Sequence, residues 1–163
     1  LDMTGLQTVE RSDTISLAAL TEEVFCDLDP VADKHQIRLI QTEGDCTVTG
    51  SYILLYRAVY NLVENAIKYN RPSGSVTVSI HSAESAVLEV TDTGIGISPE
   101  NQEKIFDPFY RVDKSRSRAM GGAGLGLALV SEIARQHNGQ VKVTQSREKG
   151  STIALILPES TDY

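Results

Sequence analysis

The chain of 163 residues is predicted to fold as an α+β protein, a two-layer α/β sandwich with one mixed five-stranded sheet and helices on one face. Three observations lead there. Ser16 to about Lys34 and Ser51 to Tyr69 carry apolar residues at helical spacing. Short alternating, β-branched runs fill much of the remainder, and a third helical stretch interrupts them. An apolar share of 40% is enough for a real core, which must be mostly aliphatic because there is no tryptophan and only three phenylalanines.

Each element has its own signal. Leu17, Leu20, Val24, Leu28 and Val31 recur at three and four, so the first helix presents one apolar stripe; Pro30 should kink or divide it. Ile37–Gln41 reads as a strand and Cys46–Thr49 as a short second one. Ser51 is placed to cap a helix that runs through Tyr69 and stops before Arg71-Pro72 and a turn at Ser73-Gly74. Val76, Val78 and Ile80, then Val87–Thr91, form a hairpin linked near Ser82–Ser85. Pro99 opens a short helix, and Phe106–Met120 is a long loop of the kind that often serves function. Leu125–His137 is a helix closed by Asn138-Gly139. Val141 and Val143, then Ile153, Leu155 and Leu157, make the last pair of strands around Glu148-Lys149-Gly150.

Charge and cysteine usage exclude several functions. A net charge of −7 argues against nucleic-acid binding. One segment departs from that balance: Lys104, Arg111, Lys114, Arg116 and Arg118 face only Asp107 and Asp113 within Lys104–Arg118, which suits either a local anionic ligand or a solvated loop. No apolar run approaches the roughly 20 residues of a membrane span, so no membrane contact by this domain is expected, and Leu1–Glu10 has no signal-peptide pattern. Cys26 and Cys46 lack metal spacing and are expected to be free thiols. His35, His81 and His137 are scattered, and we read them as structural or exposed.

Three stretches carry candidate chemistry. In "NLVENAIKYN", Asn61, Asn65 and Lys68 recur at helical spacing beside the buried Leu62, Val63, Ala66 and Ile67. They can face one cavity: amide oxygens suit Mg²⁺ that already carries phosphate and water, and Lys68 is a point charge for phosphate. Tyr69 could lie against a base or ribose. The alternative is a helix edge at a solvated boundary. In "DTGIGI", Asp92 at a strand end could accept from an exocyclic amine such as adenine's, and would disfavour guanine's carbonyl. Gly94 and Gly96 would let backbone approach a base plane, and Ile95 and Ile97 would supply apolar wall; a plain turn is the competing reading. "GGAGLGLALV" runs into a helix, and such glycines suit an anion at the helix N-terminus or a tight turn against the sheet. It is not a P-loop, since Leu127 and Ala128 stand where Lys and Ser/Thr are needed, nor a Rossmann fingerprint.

Taken together, these stretches resemble the catalytic ATP-binding domain of bacterial two-component sensor histidine kinases, in the wider gyrase, chaperone and mismatch-repair ATPase superfamily. "NLVENAIKY" resembles the N box, "DTGIGI" the first glycine box, "IFDPFYRVD" the F box, "GGAGLGLAL" the second glycine box and "GSTIALILP" the closing strand. The boxes come in the family's order, and the resemblance covers about Ser16–Pro158. It implies a Bergerat, histidine-kinase-like fold that binds ATP and Mg²⁺. It implies that Asn65 ligates Mg²⁺, with Asn61 supporting phosphate or metal, Lys68 on phosphate, Tyr69 near adenine and Asp92 on the adenine amine. Gly94, Gly96, Ile97, Phe109 and Ser151 join the nucleotide site on the same ground. Gly122, Gly124, Leu125, Gly126 and Leu127 would surround the triphosphate, and Arg111 would stabilise the transferring γ-phosphate. Catalysis on this reading rests on Asn61, Lys68 and Arg111.

The implied parent phosphorylates a histidine on a helical-hairpin domain and passes the phosphate to a response regulator. The acceptor is missing: "HQIR", "HSAE" and "HNGQ" lack its context. We therefore expect residues 1–13 to be the tail of that helical domain and 14–163 to be the catalytic domain, monomeric when isolated and not competent for autophosphorylation alone. The expected location is cytoplasmic, with the parent anchored in the membrane. Asn61 stands where the superfamily's ATPases resemble one another in a water-activating glutamate, so slow intrinsic hydrolysis is expected. Ser51 and Asn70 depart from the commoner Asp and Ser/Thr and read as peripheral. Anti-sigma-type serine kinases share the nucleotide boxes; the complete "FDPFYRVDKS" favours the histidine branch.

Overall fold

The structure is a computed structural model and describes residues 13–108, 126–147 and 150–160. Its order is β1 (Asp13–Ser16), α1 (Leu17–His35), β2 (Arg38–Gln41), β3 (Thr47–Gly50), α2 (Tyr52–Lys68), β4 (Ser75–Ala83), β5 (Ser85–Asp92), two short 3-10 turns (Pro99–Asn101 and Lys104–Phe106), α3 (Gly126–Gln136), β6 (Gln140–Arg147) and β7 (Gly150–Leu157). The five-stranded sheet has the order β2-β4-β5-β7-β6. β2 pairs parallel with β4 and the other neighbours are antiparallel, so the sheet is mixed, as expected.

Alternation decides which face the helices cover. Val76, Val78 and Ile80 on β4, Ala86, Leu88 and Val90 on β5, and Ile153, Leu155 and Leu157 on β7 are all buried. Their register partners align them in rows, Val78 opposite Val90 and Val90 opposite Ile153. Helix α2 lies over these rows between α1 and α3. Its buried positions, Leu55, Ala58, Val59, Leu62, Val63, Ala66 and Ile67, follow one helical stripe.

Both long helices start behind a serine cap; Ser51 caps α2 as expected, while Ser16, expected inside the first helix, precedes it as the cap of α1. Ser16 Oγ accepts from Ala19 N at 3.2 Å, and Asp45 accepts from both Ser16 Oγ and Ala18 N, doubling the cap on α1. Ser51 Oγ accepts from Leu54 N, and Asp13 Oδ2 accepts from Tyr52 N at 3.0 Å. Pro30 does not divide α1. It is exposed, as is Cys26, so the carbonyl deprived of its helical donor lies on the wet side. Gln36, in the left-handed region at φ 60°, closes α1 by donating its N–H to Ala32 and Asp33. Asn138 at φ 60° and Gly139, whose N–H reaches Ala134 O at 2.8 Å, close α3.

Three expectations shift. The strand predicted at Cys46–Thr49 is Thr47–Gly50, and it pairs with β1 in a separate two-stranded ribbon. β1 itself was not foreseen, because four residues with one buried side chain, Ile15, carry no readable alternation. The β4–β5 link is tighter than Ser82–Ser85: Ala83 pairs with Ser85, and Glu84 alone turns the chain at φ 65°.

His137 is structural, as read, and its role is long-range. Its buried ring accepts from Ser51 N through Nε2 at 3.0 Å, while Nδ1 meets Ile133 O at 2.8 Å. This pairing makes Nδ1 the protonated nitrogen and ties the end of α3 to the start of α2. Gly50 makes room, since a Cβ there would lie 2.5 Å from the imidazole. His137→Ala is expected to cost about 2–4 kcal/mol, from a cavity plus an orphaned N–H. A urea unfolding curve measures it.

Candidate functional site

The C-terminal half of α2 meets residues from the other two sequence stretches. Asn61 Nδ2 donates to Gly126 O at 3.2 Å, so the first turn of α3 stands beside the exposed edge of α2. Asn65 and Lys68 continue that edge, both half-buried. Lys68 Nζ lies 3.8 Å from Glu64 Oε1, an open i,i+4 pair that water and anions can reach.

On the other side, the loop after β5 packs directly against the helix end. A Cβ on Gly94 would lie 2.4 Å from Tyr69 O and 3.1 Å from Asn70 Cα, so only glycine permits this approach. Gly96 sits at φ 77°, a second position that suits glycine. Ile97 is half-buried against the core, donates its N–H to Ser146 Oγ at 2.5 Å and accepts from Gln102 Nε2. Leu127 also packs against the core, and Ile95 is exposed.

Asp92 is the chemically distinctive group. It ends β5 opposite Ser151 of β7. Its Oδ1 accepts from Gly94 N at 2.8 Å and its Oδ2 from Ser151 Oγ at 2.9 Å. Burial pushes its carboxyl above the usual range, and those hydrogen bonds oppose the shift without cancelling it. A carboxylate held in place by two donors, with further acceptor capacity, is suited to an N–H-bearing ligand. Gly150, at φ 140°, lets β7 begin here: a Cβ would lie 2.0 Å from Asp92 O.

The structure sets Asn61 against Gly126, and Tyr69 against Gly94 beside the Asp92–Ser151 pair; Asn65 and Lys68 lie on α2 between these two contacts, and Gly96, Ile97 and Leu127 follow in the adjoining segments. Phe109, Arg111, Gly122, Gly124 and Leu125 lie outside the described residues. So does most of the basic segment; Lys104 is described and exposed. Sequence reasoning missed Ser146, Gly150 and the hydrogen bond from Thr93 Oγ1 to Asn70 Oδ1 next to Asp92 and Tyr69. Gly150 had a signal, glycine opening a strand after Glu148-Lys149; the polar residues had none.

A separate cavity of about 630 Å³ lies at the opposite strand ends, lined by residues including Glu84, Asn138, Gly139 and Glu159. It holds none of the predicted site residues and brings two carboxylates and no cationic side chain, so it is unsuited to phosphate. Cys26 and Cys46 are free thiols, as expected. Among the described residues no helix is long and apolar enough to cross a membrane.

An α/β sandwich with an amide-bearing helix, a half-buried strand-end carboxylate and a glycine-led helix agrees with the class of ATP-binding domains anticipated above. The profile of the histidine kinase-, DNA gyrase B-, and HSP90-like ATPases matches residues 50–161, and the chain belongs to that family. Among curated proteins it is similar to the sensor-like histidine kinase SenX3 of Mycolicibacterium smegmatis, 38% identical across 99% of this chain and 44% of SenX3. It is also similar to the sensor histidine kinase RppB of Synechocystis, 44% identical over 85% of this chain and 30% of RppB. A solved structure of the mycobacterial sensor histidine kinase MprB superposes with a TM-score of 0.76 at 28% identity, covering 91% of this chain and 97% of that one. Within its family the chain is thus a catalytic ATP-binding domain of the sensor-histidine-kinase kind, and it spans less than half the length of these curated relatives.

Proposed function

We propose that this domain binds Mg-ATP and transfers its γ-phosphate to a histidine on a separate helical domain, the first step of two-component signalling. The observation that carries the reading is Asp92: a half-buried carboxylate, oriented by Gly94 N–H and Ser151 hydroxyl, at the end of the strand beside α2. It accepts from the adenine 6-amino group. Tyr69, Gly94, Gly96, Ile97 and Phe109 border the base, and Ser151 holds the carboxylate.

Asn61, Lys68 and the glycine stretch Gly122–Leu127 meet the triphosphate. Backbone N–H groups at the start of α3 point toward it, and Lys68 exchanges Glu64 for phosphate. Arg111 neutralises charge that develops on the γ-phosphoryl oxygens. The acceptor imidazole nitrogen attacks phosphorus, the bond to the β–γ bridging oxygen breaks, ADP leaves and the imidazole gives up a proton. Asn61 lacks the basicity to activate water, so transfer outpaces hydrolysis.

The donor set fits magnesium in one form only. Among the described residues no three His, Cys, Asp or Glu side chains gather as a metal cage. The amides of α2 suit an ion that keeps waters and phosphate oxygens, with Asn65 giving one ligand. Bound there, magnesium would neutralise phosphate charge. Asn65→Ala is expected to lower ADP affinity at least about tenfold in the presence of Mg²⁺ and to change it little in EDTA. Calorimetry in both buffers checks this, and equal losses would remove Asn65 from the metal site.

The partners on this reading are the helical-hairpin acceptor domain and a downstream response regulator, in the cytoplasm beneath a membrane-anchored parent. Incubation with ATP and a hairpin domain should yield acid-labile phosphoprotein. Acid-stable phosphoserine on a partner would instead select the anti-sigma-type reading.

A further inference from the structure

Asn70 follows Tyr69, and Thr93 separates Asp92 from Gly94; neither has a role in the site as proposed. Their side chains join those neighbours. Ser75 N–H donates to Thr93 Oγ1 at 2.9 Å, and Thr93 Oγ1 donates to Asn70 Oδ1 at 3.0 Å. Asn70 Nδ2 returns to Ser75 O at 2.9 Å, closing a ring, and Oδ1 also accepts from Arg71 N at 2.8 Å. The donors and acceptors allow one orientation of the amide, since Ser75 O needs a donor and Arg71 N–H an acceptor. Asn70 is 7% exposed, whereas Thr93 is exposed.

The ring is packed without slack. A Cβ on Gly74 would lie 2.4 Å from Asn70 Oδ1 and 2.5 Å from Thr93 Oγ1. One on Gly94 would strike Tyr69 O and crowd Asn70 Cα. The end of α2 can therefore neither slide nor rotate against the end of β5 without breaking these hydrogen bonds, most of them part-buried.

We propose that Asn70 and Thr93 are positioning residues that set the span between Lys68 on α2 and Asp92 on β5, so that one nucleotide engages its base and phosphate contacts together. The inference rests on the ATP-binding reading above. Base and phosphate binding reinforce each other only when their sites are held at the nucleotide's own length. The ring holds that length without touching the ligand.

The test compares adenosine with Mg-ADP on the whole domain, by NMR titration and calorimetry, in wild type, Asn70→Asp, Thr93→Val and Thr93→Ser. Asn70→Asp puts an acceptor against Ser75 O; Thr93→Val removes the hydroxyl at an exposed position; Thr93→Ser keeps it. The expected result is an unchanged adenosine affinity, within about twofold, and a fall of about tenfold in the Mg-ADP to adenosine affinity ratio for Asn70→Asp and Thr93→Val. Thr93→Ser should restore the ratio. A purely structural role would lower both affinities together and leave the ratio intact, which overturns the inference. Should Asn70→Asp not fold, Thr93→Val against Thr93→Ser decides alone. Wild type that binds no adenine nucleotide would sink the ATP-binding reading itself, a result distinct from an intact ratio.

Discussion

Asp92→Asn should lower adenine-nucleotide affinity about tenfold to a hundredfold while leaving the fold as stable as before, or more so. Asparagine can keep Gly94 N–H on its oxygen only by turning its amide nitrogen toward Ser151. A donor then faces the adenine amine, and a charge-assisted hydrogen bond of about 1.5–3 kcal/mol is lost. Stability moves the other way. Burial raises the folded-state pKa of Asp92, so the fold disfavours its ionised form. The stability this group contributes is complete below the unfolded carboxyl's pKa and disappears as pH rises through the folded value. At neutral pH the ionised group is a liability that asparagine removes. Nucleotide affinity has the opposite slope: it falls as the solution is acidified through the raised pKa, earlier than an ordinary exposed carboxylate would cause. The acid limb should vanish in Asp92→Asn. Calorimetry across pH with parallel urea curves measures both, and unchanged affinity would clear Asp92 of contact with the base.

Gly94→Ala should cost about 3 kcal/mol or more and abolish nucleotide binding. The added methyl would sit 2.4 Å from Tyr69 O and 3.0 Å from Asp92 Oδ1. The first of these is backbone at the end of a long helix, so relief requires moving α2 away from β5. Gly150→Ala should behave similarly, with a left-handed φ of 140° adding strain of about 1–3 kcal/mol. Gly126→Ala is the contrast. Its nearest neighbour, Asn61 Nδ2, would be 3.9 Å away, an ordinary contact, so folding stability should barely change. Thermal melts of the three variants rank them. A Gly94→Ala domain as stable as Gly126→Ala would mean that the helix end is not held as described.

Local chemistry was legible in the sequence, and distant partnership was not. The cap Ser51, the buried side Leu62, Val63, Ala66 and Ile67, and the turn at Asn138-Gly139 are each specified within a few residues, and each appears as read. The cluster at the end of α2 was legible because amides, a carboxylate and glycines sit at telling positions in short stretches. β1 was not, since its partner lies beyond an entire helix. The Asn70–Thr93 bond spans 23 positions, and the Ser51–His137 bond spans 86. Asn70 looked peripheral because its own neighbourhood says only that a helix ends there. Its meaning comes from Thr93 and Gly74, which folding alone brings within reach.

The central claim is a pocket that grips a purine through its amino group, and competition between bases tests it most directly. Calorimetric titration of the domain with ATP and with GTP, each with Mg²⁺, should give at least about tenfold tighter binding of ATP, because guanine turns a carbonyl toward the Asp92 carboxylate. Equal affinities for the two, or no binding of either, would contradict the account.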